Sequence, residues 1–132
     1  MRHILAIDEG TTGVTCLVIA EDGRVVGRGY REIPQYFPKP GWVEHDAMEI
    51  LACVLSAAKH AIDAAGVIPV ALGITNQRET VVIWERETGR PVHRALVWQD
   101  RRTAERCQAG EVVVDLRAGL PSKGDRGQQG NG

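Results

Sequence analysis

A chain of 132 residues, 43% hydrophobic and 25% charged, is long enough for one globular domain with a real core. Its formal net charge of -1, with the two signs interspersed, provides no basic stripe and excludes an electrostatic case for nucleic acid. The apolar runs are too short for a membrane-spanning helix and Met1, Arg2 and His3 lead into no signal-peptide block, so a cytoplasmic location with small-molecule or protein partners is expected.

Residues 4–8 form a short apolar run with period-two character, and Gly10, Thr11, Thr12 and Gly13 then turn the backbone toward a second apolar run at 16–20. The pattern predicts a strand, a tight glycine turn and a return strand. Such a turn lets a ligand approach the backbone at Gly10, its threonine hydroxyls and amides can donate to phosphate oxygens, and Asp8 can hold a divalent cation through water. Nucleotide phosphate binding is the chemistry indicated, although the same residues taken alone also describe an ordinary hairpin. Glu21, Asp22 and Gly23 make a second turn into residues 24–30, which completes a three-stranded antiparallel meander. Three prolines and a glycine in residues 33–41 exclude helix and central strand and leave a rigid surface loop.

Asp46 reads as a helix N-cap, with Glu49 at capping-box spacing. Met48, Leu51, Leu55, Ala58, Ile62 and Ala65 then recur at steps of three and four, predicting a helix from Ala47 to a stop at Gly66 that packs this stripe on the sheet. Residues 71–75 are a buried-strand run reached through that helix, so the strand is expected parallel to an earlier one and the fold mixed α/β. Asn76, Gln77, Arg78, Glu79 and Thr80 follow at its carboxyl end, where ligands bind in such sheets. Residues 81–85 and 94–98 predict two more strands joined by a turn at 87–91, and residues 98–103 begin a helix that Ala104, Glu105 and Cys107 continue. Beyond Ala109 the pattern weakens, and Gly124, Gly127 and Gly130 punctuate a polar stretch that reads as disordered. The expected organisation is a domain over residues 1–108 and a divergent tail over 109–132.

Cys16, Cys53 and Cys107 lie far apart, in a predicted strand and two predicted helices, and read as buried reduced thiols. His3, His45, His60 and His93 have no ligand spacing, so no zinc site is expected, and His45 reads as a loop hydrogen-bond former. Trp42 and Trp84 are expected to pack.

Four blocks, residues 8–12, 36–46, 73–80 and 97–103, occur here in the order in which they occur in the FGGY carbohydrate kinases. The chain resembles the N-terminal part of that family and, through Gly73-Ile74-Thr75-Asn76-Gln77-Arg78-Glu79-Thr80, its glycerol kinases. The resemblance implies a ribonuclease-H-like, actin/hexokinase-type ATPase domain. It further implies transfer of the ATP γ-phosphoryl group to a terminal hydroxyl of glycerol, with Mg2+, giving sn-glycerol 3-phosphate. By position, Gly10, Thr11, Thr12 and Gly13 would line the ATP phosphates, Asp8 would sit near the metal, Arg78 and Glu79 would hold glycerol hydroxyls, and Trp98 would form an apolar wall. A triol suits that set, because Arg78 offers a donor fork, Glu79 accepts from hydroxyls and an aromatic face covers the C–H side. The alternatives are a solvated Arg78 and Glu79 ion pair and a core Trp98.

The chain also departs from the family. Thr15 stands where glycerol kinases carry Arg or Lys. The aspartate general base, a substrate-contacting tyrosine and the C-terminal nucleotide-binding domain belong to sequence further on, and a homo-oligomer is expected of the full length. Residues from 109 match nothing in the family pattern, so a truncated product is expected, with a reading-frame change near residues 108–110 as one cause. Such a chain would be inactive alone. The other classes are a non-enzymatic remnant with weak polyol or partner binding and a kinase of another polyol or sugar.

Overall fold

The computed structural model describes residues 1–110. In chain order the elements are β1 (His3–Glu9), β2 (Gly13–Ala20), β3 (Val25–Glu32), β4 (Glu44–His45), α1 (Ala47–Ala65), β5 (Ala71–Asn76), β6 (Ala95–Leu96) and α2 (Ala104–Gln108). They divide into two compact units, Met1–Arg102 and one beginning at Thr103.

In the first unit, β1, β2 and β3 form the expected antiparallel meander, and β5 joins the other edge of β1 in parallel to give the order β3-β2-β1-β5. Alternation along β1 and β2 sends Leu5, Ile7, Val14, Cys16 and Val18 to one face, where they meet Ala57 and Ala61 of α1. The helix starts because the Asp46 carboxylate accepts from the backbone N–H groups of Met48 and Glu49, and it stops at Gly66, which takes a left-handed conformation. The capping box is only half made, since Glu49 instead accepts from the Tyr36 hydroxyl at 2.8 Å.

Half of the expected stripe packs. Ala58, Ile62 and Ala65 face the sheet together with Ile50, Cys53, Val54, Ala57 and Ala61, while Met48, Leu51 and Leu55 are exposed. Gly27 and Gly29 of β3 explain the rotation. A Cβ at either position would collide with the carbonyl oxygen of Ala61 or Ala57, so helix and strand meet backbone to backbone and only alanine-sized residues fit at the contact.

Further expectations change. β5, expected as a buried strand, is exposed along its whole length. Residues 81–85 do not form a strand. They make single bridges, Val81 to Leu96 and Trp84 to Pro91, because the regular pairing of the second arm goes to β4 through Glu44 and Leu96. Trp98 does not open a helix, as residues 98–103 form turns around the Asp100 carboxylate before α2 begins at Ala104. Trp84 is exposed rather than packed, and so is Cys107, whose helix buries no residue, whereas Cys16 is buried. Except for Ala109 and Gly110, the expected tail over 109–132 lies outside the described residues. None of the helices described is long and apolar enough to cross a membrane.

Candidate active site

Parallel pairing aligns Asp8 with Thr75 and Glu9 with Asn76, so the carboxyl ends of β1 and β5 open side by side. An open cleft of about 820 Å³ lies there, bounded by Asp8, Glu9, Gly10 and Thr11 on one side, by the 74–79 segment on the other, and by Trp98. This is the position where the ends of parallel strands leave a crevice for ligands.

The turn after β1 is closed by the Gly10 N–H donating to the Gly13 carbonyl at 2.9 Å. Gly10 and Thr11 line the cleft, whereas Thr12 is exposed outside its lining and Gly13 is buried as the first residue of β2. A side chain at Gly13 would collide with the Tyr30 ring, so this glycine also makes room for packing. Asp8 is exposed in the cleft and, among the described residues, belongs to no ion pair. Thr15, directly opposite Asp8 on β2, offers a hydroxyl where a cation was expected from the family pattern. No three His, Cys, Asp or Glu side chains converge among the described residues. A divalent ion at Asp8 would therefore be held largely by water and ligand oxygens, which suits magnesium better than a protein cage would.

Arg78 and Glu79 are both exposed in the cleft, and neither takes part in an ion pair among the described residues. Glu79 is the one non-glycine residue described with positive φ, at 62°. A left-handed glutamate costs on the order of 1 kcal/mol and is kept only where its surroundings dictate it. Gln77 provides those surroundings. Its backbone N–H donates to the Glu9 carbonyl at 2.7 Å, its Nε2 donates to Glu9 Oε1 at 2.9 Å, and its Oε1 accepts from the Thr80 hydroxyl at 2.9 Å. Both ends of the 77–80 turn are thereby fixed to the sheet.

Glu9 is buried, and that burial raises its carboxyl pKa while the Gln77 hydrogen bonds oppose the rise. His45, fully buried in β4, places Nδ1 3.3 Å from Gln77 Nε2. An amide N–H can only donate, so Nδ1 accepts and the ring proton lies on Nε2, which has no partner among the described residues. Desolvation lowers the His45 pKa and keeps the ring neutral. His45 is thus a strand residue behind the cleft rather than a loop residue.

Trp98 is 51% exposed and is not a core residue. Its indole Nε1 donates to Thr11 Oγ1 at 2.8 Å, and its backbone N–H donates to Thr80 Oγ1 at 3.3 Å. The segment that carries it is anchored by Asp100, which accepts from the Val43 N–H at 2.8 Å and binds Arg102. Arg102 also reaches Glu44 at 2.8 Å and stacks 3.7 Å above the Trp42 ring. The Arg102 hydrogen bonds hold the Asp100 carboxyl down at about 2.

With this geometry in place, comparison with known proteins decides the family. Residues 3–115 match the N-terminal domain of the FGGY family of carbohydrate kinases. The chain belongs to that family. It is 56% identical to a glycerol kinase of Rhizobium rhizogenes over 126 residues, 89% of this chain and 25% of that protein. It is 50% identical to a glycerol kinase of Halorhodospira halophila over 111 residues, 82% of this chain and 22% of that one. Among solved structures, Plasmodium falciparum glycerol kinase with ADP superposes with a TM-score of 0.79 at 36% identity, covering 83% of this chain and 23% of that one. The chain therefore spans about a quarter of the length of the curated relatives it matches. The fold is accordingly the actin/hexokinase-type α/β fold of FGGY kinases, with its mixed sheet.

Within this FGGY domain the residues expected at the site mostly converge. Asp8, Gly10, Thr11, Arg78, Glu79 and Trp98 share one cleft, while Thr12 and Gly13 lie outside its lining. Gln77 and Thr80 belong to the polar stretch expected here and His45 to the expected hydrogen-bond formers, but Glu9 and the bonds that join these four were not foreseen. For Glu9 the signal was available, because alternation from Leu5 and Ile7 places it on the buried face.

Proposed function

We propose that these residues are the N-terminal part of a glycerol kinase, which transfers the γ-phosphoryl group of ATP to a terminal hydroxyl of glycerol and forms sn-glycerol 3-phosphate for glycerol catabolism. The observation carrying this reading is the single cleft that joins a threonine-glycine turn and Asp8 to the Arg78, Glu79 and Trp98 group. In this reading Arg78 donates to glycerol hydroxyls, Glu79 accepts from them and the Trp98 ring covers the carbon chain. The Thr11 hydroxyl faces the phosphates, Gly10 lets them approach the backbone, and Thr12 and Gly13 shape the turn behind them. Asp8 would hold magnesium through water, and the ion when bound would supply charge neutralisation at the phosphates. The protein supplies placement and electrostatics, which are what phosphoryl transfer needs.

The general base and the adenine-binding half lie outside this chain in this reading, the full-length enzyme is a homo-oligomer, and it acts in the cytoplasm. The 132-residue chain alone then has no ATP-dependent kinase activity. The test is steady-state kinetics of the complete polypeptide. Arg78→Ala should raise the glycerol KM about tenfold or more, since a charge-assisted clamp is lost. An unchanged KM removes Arg78 from the site, and turnover by the purified 132-residue chain refutes its inactivity.

A further inference from the structure

We infer that Trp98 is a positioning residue as well as a wall: its indole N–H holds the Thr11 hydroxyl so that the hydroxyl proton is offered to a phosphoryl oxygen in the cleft. The inference rests on the phosphorylation reading above. It begins with a 2.8 Å hydrogen bond between two cleft-lining side chains 87 residues apart. An indole N–H has no acceptor capacity, so Thr11 Oγ1 must accept. The Thr11 hydroxyl donates to no acceptor among the described residues, and its proton remains free for a ligand.

An untethered threonine hydroxyl rotates and can present either its lone pairs or its proton. A tethered one has one lone pair occupied and its orientation restricted, which biases it toward donation. Phosphoryl oxygens at neutral pH accept and rarely donate, so a hydroxyl biased toward donation suits them better than it suits a ligand hydroxyl seeking an acceptor. Trp98 is itself tied down, since its N–H donates to Thr80 Oγ1 and the adjoining Val97 N–H donates to the Val43 carbonyl at 3.1 Å. The ring that would cover the polyol carbons is therefore the same rigid body that sets the Thr11 donor. Polyol seating and phosphoryl recognition are coupled through one indole.

The experiment is nuclear magnetic resonance on the complete polypeptide, titrated separately with glycerol and with glycerol 3-phosphate. The Trp98 indole N–H signal, assigned by its loss in Trp98→Phe, should exchange slowly in the parent and in Thr11→Ser but rapidly in Thr11→Val. Trp98→Phe, which keeps a ring without the donor, should weaken glycerol 3-phosphate about five- to tenfold more than it weakens glycerol. Thr11→Val should do the same, and Thr11→Ser should restore the parent preference. A fast-exchanging Trp98 indole in the parent overturns the inference. If glycerol moves Arg78 and Glu79 signals but both donor-deficient variants keep the parent preference, the coupling is wrong and the substrate reading stands. If neither ligand moves a cleft signal in the parent, the substrate reading falls and the coupling falls with it.

Discussion

Gln77 binds Glu9 twice, through its backbone N–H at 2.7 Å and its side-chain amide at 2.9 Å, and so fastens the carboxyl end of β5 to that of β1. The side chain also bridges to Thr80, so the turn bearing Arg78 and Glu79 hangs from one amide.

Replacing that amide leaves a buried carboxylate short of a donor. Gln77→Leu should cost about 1–3 kcal/mol in urea unfolding at neutral pH. The pH dependence has a definite sign. A carboxyl raised by burial binds its proton more tightly folded than unfolded, so stability declines as pH rises from about 4.5 through the folded value. The Gln77 bonds oppose the rise, so the variant should lose more stability across this window than the parent. Parallel curves would show that Glu9 does not depend on Gln77.

Glu79→Gly should separate stability from binding. Glycine relieves the left-handed strain at φ 62°, and the variant should gain about 0.5–1 kcal/mol in thermal unfolding after the greater freedom of its unfolded chain is deducted. Glycerol-induced changes in the cleft should disappear with the carboxylate. Loss of stability would mean that the Glu79 side chain, and not the sheet ends, sets this turn.

Asp100→Asn tests the anchor beneath Trp98. It should cost about 1–3 kcal/mol at neutral pH, because a charge-assisted bond to Arg102 becomes neutral. Since the carboxyl is held near 2 against an ordinary 3.8, the parent's advantage is complete above the latter and fades as pH falls toward the former. Chemical denaturation at pH 7 and pH 2 checks both limits.

Gly29→Ala should destabilise by about 1–3 kcal/mol, because the methyl group meets the Ala57 carbonyl. Gly73→Ala, where nothing lies within 4 Å, should stay within about 0.5 kcal/mol. Equal effects in denaturant titrations would deny the close contact of α1 with β3.

Much of this was legible along the chain. The meander, the α1 boundaries and the parallel β5 follow from local signals: alternation, an Asp46 cap, a Gly66 stop and a helical crossover. The packed face of α1 was half legible, through Ala58, Ile62 and Ala65; the rest was not, because periodicity favours the largest apolar residues and cannot register that β3 offers two glycines. The irregular arm at 81–85 was missed for a related reason. Its partner segment pairs with β4, a two-residue strand just after the proline-rich stretch that was read as a loop. At the site, the residues offering charge or an aromatic face to the cleft could be named from their polar blocks. Alternation marks Glu9 as buried and the polar block contains Gln77 and Thr80, but the bonds joining Gln77 to Glu9 and His45 could not be read, since those partners are remote in sequence.

The bare contact of α1 with β3 also limits how the domain can move. Elsewhere in the core, side chains can change rotamer to absorb a small displacement, but at Gly27 and Gly29 two main chains touch with no adjustable atom between them. The helix has no cushion there against pressing closer, and sliding along the strand would drive carbonyls into the pleat. Displacement at the cleft must then be taken up in its turns and loops, while the sheet and α1 travel as one stiff plate.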